Sequence, residues 1–307
     1  MTSPRVDKSP ARASSGILLL DKPSGITSNA ALGRAKRVLG IRKAGHTGTL
    51  DPMASGLLVL CFGEATKVSG FLLDADKAYE AEATLGTTTD SEDAEGEVIA
   101  ESPVPEFSPE DIESALSALR GPIQQIPPMH SALKHQGKRL YELARRGEVV
   151  ERPPRSVVIH ALECVDWTHP KLRLSVRCSK GTYIRSLVRD LGESLDCGAH
   201  LSALRRTLSA PFDIADAITL DQLSDLNVES ARALLLRPDL AIGHLPAIHL
   251  EETLSARLLQ GQSLTGIEGE EGIVRLYSQQ KFLGIGLLSA LSVLKPKRLL
   301  ADPLAEQ

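Results

Sequence analysis

Cysteine is scarce in this chain, and the few cysteines form no pattern. Cys61, Cys164, Cys178 and Cys197 include no C-x-x-C pair, and they form no His-Cys cluster with the spacing of a metal site. A structural zinc site and a disulfide framework are therefore not expected, which fits a reducing, cytoplasmic setting. Cys61 and Cys178 fall in apolar, strand-like runs, where a free thiol packs as a small hydrophobe. Long apolar runs are missing as well. Nothing approaches the roughly eighteen residues a membrane-spanning helix requires. Residues 1–15 are polar, carry Arg5, Lys8 and Arg12, and lack a signal-peptide core, so they read as a disordered, mildly basic tail. Neither a Walker loop nor a dinucleotide fingerprint occurs, so no nucleotide cofactor is expected.

A basic excess is also absent: the net charge is −4. The average hides a segregation. Asp74 to Glu113 holds fourteen acidic residues and one basic, Lys77, whereas Lys134 to Arg189 holds thirteen basic and five acidic. Met1 to Leu50 holds nine basic and two acidic. Binding a phosphate backbone needs a basic patch, not a basic total.

What is present suits an α+β fold. Ile17 to Leu20 reads as a strand, and Thr27 or Ser28 can cap a helix to about Leu39. Leu57 to Phe62 reads as a buried strand. Tyr79, Ala81, Ala83 and Leu85 alternate with polar neighbours, as do Leu172, Leu174, Val176 and Cys178, the two-residue period of a half-buried strand. Ser108, Pro109, Glu110 and Asp111 form a helix start with a capping hydroxyl and acids in the first turn. Ile184, Leu187, Val188, Leu191 and Leu195 trace a helical face. By that spacing Arg189 points to solvent. A boundary is expected near Gly243–His249. Beyond it, Leu250 to Gln260 reads as a helix, and Ile273–Tyr277 and Phe282–Leu288 as a hairpin.

The chemistry centres on Gly45-His46-Thr47-Gly48-Thr49-Leu50-Asp51-Pro52-Met53-Ala54-Ser55-Gly56-Leu57-Leu58. Gly45 and Gly48 permit backbone angles that other residues avoid, Pro52 pushes Asp51 toward an extended conformation, and the apolar run that follows anchors the loop in a core. A carboxylate held rigidly beside a core is what covalent catalysis by Asp requires. Four further segments, Gly16–Ser28, Lys77–Gly86, Ile126–Arg146 and Lys180–Leu191, accompany it. Together the five, in this order, resemble the tRNA pseudouridine synthase B (TruB) family, over nearly the whole chain from about Gly16 to about Leu300.

The resemblance implies a pseudouridine synthase fold, a mixed and largely antiparallel sheet flanked by helices. It implies a catalytic domain over residues 16–245, with an RNA-gripping insertion at about 127–155, and a small β-rich PUA-like domain over 246–307. It implies isomerisation of uridine 55 in the T-loop of tRNA, with no cofactor, by a monomer needing no obligate protein partner. Asp51 matches the catalytic aspartate, Arg185 the arginine that pairs with it, and Tyr79 the active-site tyrosine. The pairing has an independent rationale, since a nearby guanidinium orients a carboxylate and keeps it ionised. His46 matches a histidine that holds the flipped nucleotide. Lys22 and Pro23 match a DKP-G motif that supports the active-site loop, with a phosphate contact by Lys22 as the lesser option. Lys67 and Asp90 match positions lining the RNA cleft. Tyr183 precedes Arg185 in the matched segment and is taken as an RNA contact with it. Lys134, Arg145 and Arg146 belong to the insertion and would neutralise phosphates. His130 departs from the aromatic that many relatives carry there.

Other functions fit parts of the pattern. A tRNA-folding chaperone would share the RNA grip and survive loss of Asp51. A nucleoside hydrolase would need a second acid in a comparably rigid motif, and none is evident. A guide-RNA-dependent relative would share the catalytic core, but the insertion after Ile126 and the short, non-basic C-terminal tail fit the stand-alone bacterial type better.

Overall fold

A computed structural model describes residues 15–304, apart from positions 132, 136 and 145. Residues 1–14 of the expected tail and Arg145 therefore lie outside the described residues. Ser15, counted with that tail, belongs to the fold: it is buried, and its Oγ accepts from the Glu64 amide at 2.9 Å.

Ten strands form the main sheet. In chain order they are β1 (Gly16–Lys22), β2 (Ala44–His46), β3 (Ser55–Phe62), β4 (Lys77–Leu85), β5 (Gly121–Gln125), β6 (Arg155–Thr168), β7 (Lys171–Cys178), β8 (Ala199–Ser209), β9 (Phe212–Asp213) and β10 (Ile218–Thr219). The spatial order is β10-β1-β3-β8-β4-β7-β6-β5, with β2 on β3 and β9 on β8. Only β1–β10 and β3–β8 pair in parallel; the remaining pairs are antiparallel. In β7 the sequence alternation maps directly onto the sheet: Leu172, Leu174, Val176 and Cys178 are buried, while Lys171, Arg173, Ser175 and Arg177 are exposed.

Helices α1 (Ser28–Leu39), α2 (Pro109–Ala118) and α4 (Ile184–Ser194) cover one face. Their starts are chemically determined. Thr27 accepts from the Ala30 amide to cap α1. Ser108 and Asp111 form a reciprocal capping box for α2, with Pro109 in its first turn. Between α2 and α4 lies the insertion, with a short helix α3 (Leu140–Ala144) and a hairpin of Lys134–His135 and Lys138–Arg139. It has its own apolar nucleus of Met129, Leu140 and Leu143. Arg152 donates to the Pro127 carbonyl at 2.9 Å and ties its two ends together.

A second sheet of five strands follows: β11 (Ala247–Leu250), β12 (Leu264–Thr265), β13 (Gly272–Ser278), β14 (Lys281–Leu288) and β15 (Val293–Leu304). Their order is β11-β13-β14-β15-β12, with helix α5 (Glu252–Leu259) packed on it. This sheet closes the other face of the catalytic core. Strands β1 and β3 are buried on both sides. Leu18, Leu20, Leu58 and Leu60 face the helices. Ile17, Leu19, Leu57 and Val59 pack in one cluster with Tyr277, Phe282, Ile285 and Leu300 of the second sheet. Among the described residues, no helix is long and apolar enough to cross a membrane.

Candidate active site

Asp51 sits in the loop between β2 and β3, and neighbouring elements pin that loop. Ser28, at the start of α1, accepts from the Leu50 amide at 2.8 Å and donates to the Leu50 carbonyl at 3.0 Å. The Pro52 carbonyl accepts from the Gly25 amide at 2.8 Å. Lys22 completes the frame. Its side chain is 0% exposed, and Nζ donates to the carbonyls of Ile26 at 2.7 Å, Pro23 at 2.9 Å and Pro52 at 3.4 Å. Lys22 therefore braces the turn, and its candidacy as an RNA contact is overturned, because the ammonium is enclosed by backbone carbonyls. Burial lowers its pKa to about 8, against attraction from Asp51.

The carboxylate of Asp51 opens on a cleft of about 1050 Å³. Arg185, at the first turn of α4, reaches it from below, with Nε 3.1 Å from Asp51 Oδ2. The same guanidinium binds two other segments. Nη1 lies 3.2 Å from Asp93 Oδ2 and donates to the Ser91 carbonyl at 3.0 Å, and Nη2 donates to the His130 carbonyl at 2.8 Å. Arg185 is thus not a surface helix arginine: it is 4% exposed. Burial raises the pKa of Asp51, with Arg185 opposing the shift and Asp93 adding to it. Arg185 is thereby the chief local influence favouring the ionised form.

The cleft brings together five of the expected residues: Asp51, Tyr79, Asp90, Tyr183 and Arg185. Tyr79 is half-buried on β4, and burial raises its pKa. Tyr183 is held by Gln125, whose side chain accepts from the Tyr183 amide at 2.8 Å and donates to its carbonyl at 3.0 Å. Asp90 stands at the exposed rim, accepting from the Glu97 amide at 2.9 Å.

Other expectations are corrected. Lys67 does not line the cleft; Nζ is engaged by the Glu64 carboxylate and by the Leu299 carbonyl at 2.7 Å, so it joins the two sheets. Arg189 does not face solvent unpartnered, because Glu92, Asp190 and Glu193 surround it. A second rigid acid does exist. Asp93 is 3% exposed, and its Oδ1 accepts from Ser91 Oγ at 2.6 Å and the Glu95 amide at 3.0 Å. It is bound to Arg185 rather than open to a substrate, so it does not supply the carboxylate pair of a hydrolase.

His46 ends strand β2 instead of standing in a loop. It is half-buried, and burial lowers its pKa, which favours the neutral imidazole. Arg146 is exposed on the insertion. The backbone of Lys134 lies in the hairpin of the insertion, and its side chain lies outside the described part. Sequence reasoning missed Asp93, Gln125 and Arg206. Asp93 is masked by the acidic run around it. Arg206 left one trace, a charged residue at a core-facing position of a strand.

Comparison with known proteins places the chain in a family. Residues 36–184 match the profile of TruB family pseudouridylate synthase (N terminal domain). Residues 185–240 match tRNA pseudouridylate synthase B C-terminal domain, and residues 246–300 match Pseudouridine synthase II TruB, C-terminal. The tRNA pseudouridine synthase B of Azoarcus sp. is 53% identical over 294 residues, covering 96% of this chain and 97% of that protein. The protein of the same name from Thiobacillus denitrificans is 52% identical over 294 residues, covering 95% and 98%. Among solved structures, a chain of a Cbf5-Nop10-Gar1 complex superposes with a TM-score of 0.74 at 26% identity, covering 98% of this chain and 92% of its own. A chain of an H/ACA RNP bound to a substrate RNA containing 2'-deoxyuridine gives 0.69 at 25% identity, covering 94% and 84%. With its fold, its three profile matches and its close relatives in agreement, the chain belongs to the tRNA pseudouridine synthase B (TruB) family.

Proposed function

We propose that this protein converts uridine 55, in the T-loop of tRNA, to pseudouridine, acting alone on the T-arm. The observation that carries this reading is the Asp51–Arg185 contact of 3.1 Å at the floor of a cleft that also holds Tyr79. The reaction exchanges no electrons and transfers no phosphoryl group, so side chains suffice. Asp51 attacks C1′ of the ribose as the N-glycosidic bond breaks and the bonding pair leaves with N1. The base turns within the cleft, C5 attacks C1′, and the bond to Asp51 breaks. One proton leaves C5 and one arrives at N1. Tyr79 and Tyr183 offer ring faces against a splayed base, and His46 is suited to the same task from the side of β2. Entry of the uridine requires flipping it out of the loop, at a cost of a few kcal/mol in lost stacking. The exposed basic residues of the insertion, Arg146 among them, and the second sheet as a PUA-like domain would hold the RNA while this occurs.

The test is tritium release from tRNA labelled at C5 of uridine, followed by mapping of the modified position. Release from position 55 supports the reading. Tight tRNA binding without release would favour the chaperone function instead.

A further inference from the structure

Arg206 also lines the cleft but takes no part in the Asp51–Arg185 pair. It is 2% exposed, on β8. Nε donates to the Leu57 carbonyl at 2.7 Å, and Nη2 to the Gly48 carbonyl at 3.0 Å. Its cross-strand partner in the β8–β4 pairing is Tyr79, and the two residues line the same cleft. Among the described residues, no carboxylate pairs with it. Two other buried cations, Lys22 and Lys77, feel its repulsion.

A buried, unpaired guanidinium is costly, and in this fold the chain makes room for it. Gly48 has φ of 139°, and a Cβ there would stand 3.4 Å from Arg206 Nη1. At Gly56, with φ of 99°, a Cβ would stand 2.3 Å from the Arg206 carbonyl oxygen. The loop carrying Asp51 and the strand after it are both shaped around this one arginine.

A guanidinium only donates, so toward the neighbouring Tyr79 hydroxyl it can act only as donor, which leaves the phenol proton to point elsewhere. Burial and the nearby Asp51 charge both disfavour the phenolate, and Arg206 is the cation that opposes them. The proposed isomerisation needs one proton given to N1 and one taken from C5. A phenol that gives its proton and recovers one ends the cycle unchanged.

We propose that Arg206 is a positioning residue for this exchange: it orients the Tyr79 hydroxyl and supplies the charge that makes a transient phenolate accessible. The proposal rests on the isomerase reading. If Arg206 served only to hold the Gly48 loop, its loss would slow the reaction equally whether or not residue 79 carries a hydroxyl.

The experiment is a double-mutant cycle of Arg206→Gln and Tyr79→Phe, read as single-turnover tritium release from C5-labelled tRNA across pH 6–9.5, with tRNA affinity by filter binding. Arg206→Gln is expected to slow release at least about tenfold and leave affinity within about twofold. It should also displace the alkaline part of the pH profile upward by about one unit. Arg206→Lys, which keeps a charge while the ammonium stays protonated, should recover part of the rate at the neutral end of this range, since burial lowers the pKa of the neighbouring Lys22 and Lys77 to about 8. In the Tyr79→Phe background the Gln substitution should cost less than about twofold. Additive losses with an unmoved pH profile would overturn the proposal and leave Arg206 a loop anchor. Should Arg206→Gln fail to unfold cooperatively, the cycle with Arg206→Lys decides on the same criteria. Absence of release by the unmutated protein would sink the isomerase reading itself, and this proposal with it.

Discussion

Replacing Arg185 by lysine keeps the charge and removes the planar fork, and the structure says what that removes. Three guanidinium nitrogens make four contacts: Asp51 at 3.1 Å, Asp93 at 3.2 Å, the Ser91 carbonyl at 3.0 Å and the His130 carbonyl at 2.8 Å. A single ammonium on a shorter reach cannot serve all four positions. If it stays with Asp93, Asp51 loses its orienting partner. A charge-assisted hydrogen bond contributes about 1.5–3 kcal/mol, so single-turnover release of tritium should fall about ten- to a hundredfold. Asp51 already has a raised pKa, so activity is lost as pH falls through that value. Weakening Arg185 raises it further, and the acid limb should move to higher pH. Stability falls too, by about 2 kcal/mol, because the Ser91 and His130 carbonyls lose their charged donor. Arg177, exposed on β7, is the control, and Arg177→Lys should cost less than twofold, roughly 0.4 kcal/mol. The reasoning is refuted if both lysine variants react within twofold of the parent and share its pH profile.

Four other outcomes are expected. Asp51→Asn should abolish tritium release yet leave tRNA binding and thermal stability intact or improved, since burial already disfavours the charged form of Asp51; a lower midpoint of unfolding would contradict this. Arg145→Glu with Arg146→Glu should weaken tRNA binding and lower the slope of log affinity against log salt by about one unit per lost phosphate contact, and an unchanged slope would place them outside the interface. Lys22 has a folded pKa of about 8 against the usual 10.5, so between those values the unfolded chain binds more protons and the Lys22 contribution to stability rises with pH. Urea titrations of the parent and Lys22→Met should therefore diverge from pH 8 to pH 10, with the parent gaining; parallel curves would argue against a buried, charged Lys22. Gly56→Ala should destabilise by about 2 kcal/mol or more, from a left-handed backbone angle and a clash with the Arg206 carbonyl, visible as a lower urea midpoint.

How far the sequence discloses this protein depends on the range of the interaction concerned. Alternation in β7, the capping box at Ser108 and the N-cap at Thr27 are local, and all three were readable. The partners of charged side chains were not. The supporting role of Lys22 was legible only through family likeness, because the carbonyls that enclose it become a cage only when the Pro23 turn meets Pro52. Arg189 reads as solvated because Glu92 belongs to a loop far earlier in the chain. Asp93 looks like one more acid in an acidic run until α4 delivers Arg185 to it. The Asp51–Arg185 contact was anticipated through family likeness, since helical spacing alone left Arg185 free to face either way.

The double burial of β1 and β3 bears on how the protein is made. Ile17 and Leu57 leave the ribosome long before Phe282, Ile285 and Leu300, the side chains that cover them. Until the second sheet is synthesised, the strand that supports the Asp51 loop has one apolar face open to water, a face suited to chaperone capture. Premature termination ahead of β13 should therefore leave more than a weaker grip on RNA: the nascent catalytic domain would retain an uncovered apolar surface and be prone to aggregation or degradation. Quality control at the level of translation is in this way built into the order of the strands, because β1 and β3 are covered on this face only by segments synthesised long after them.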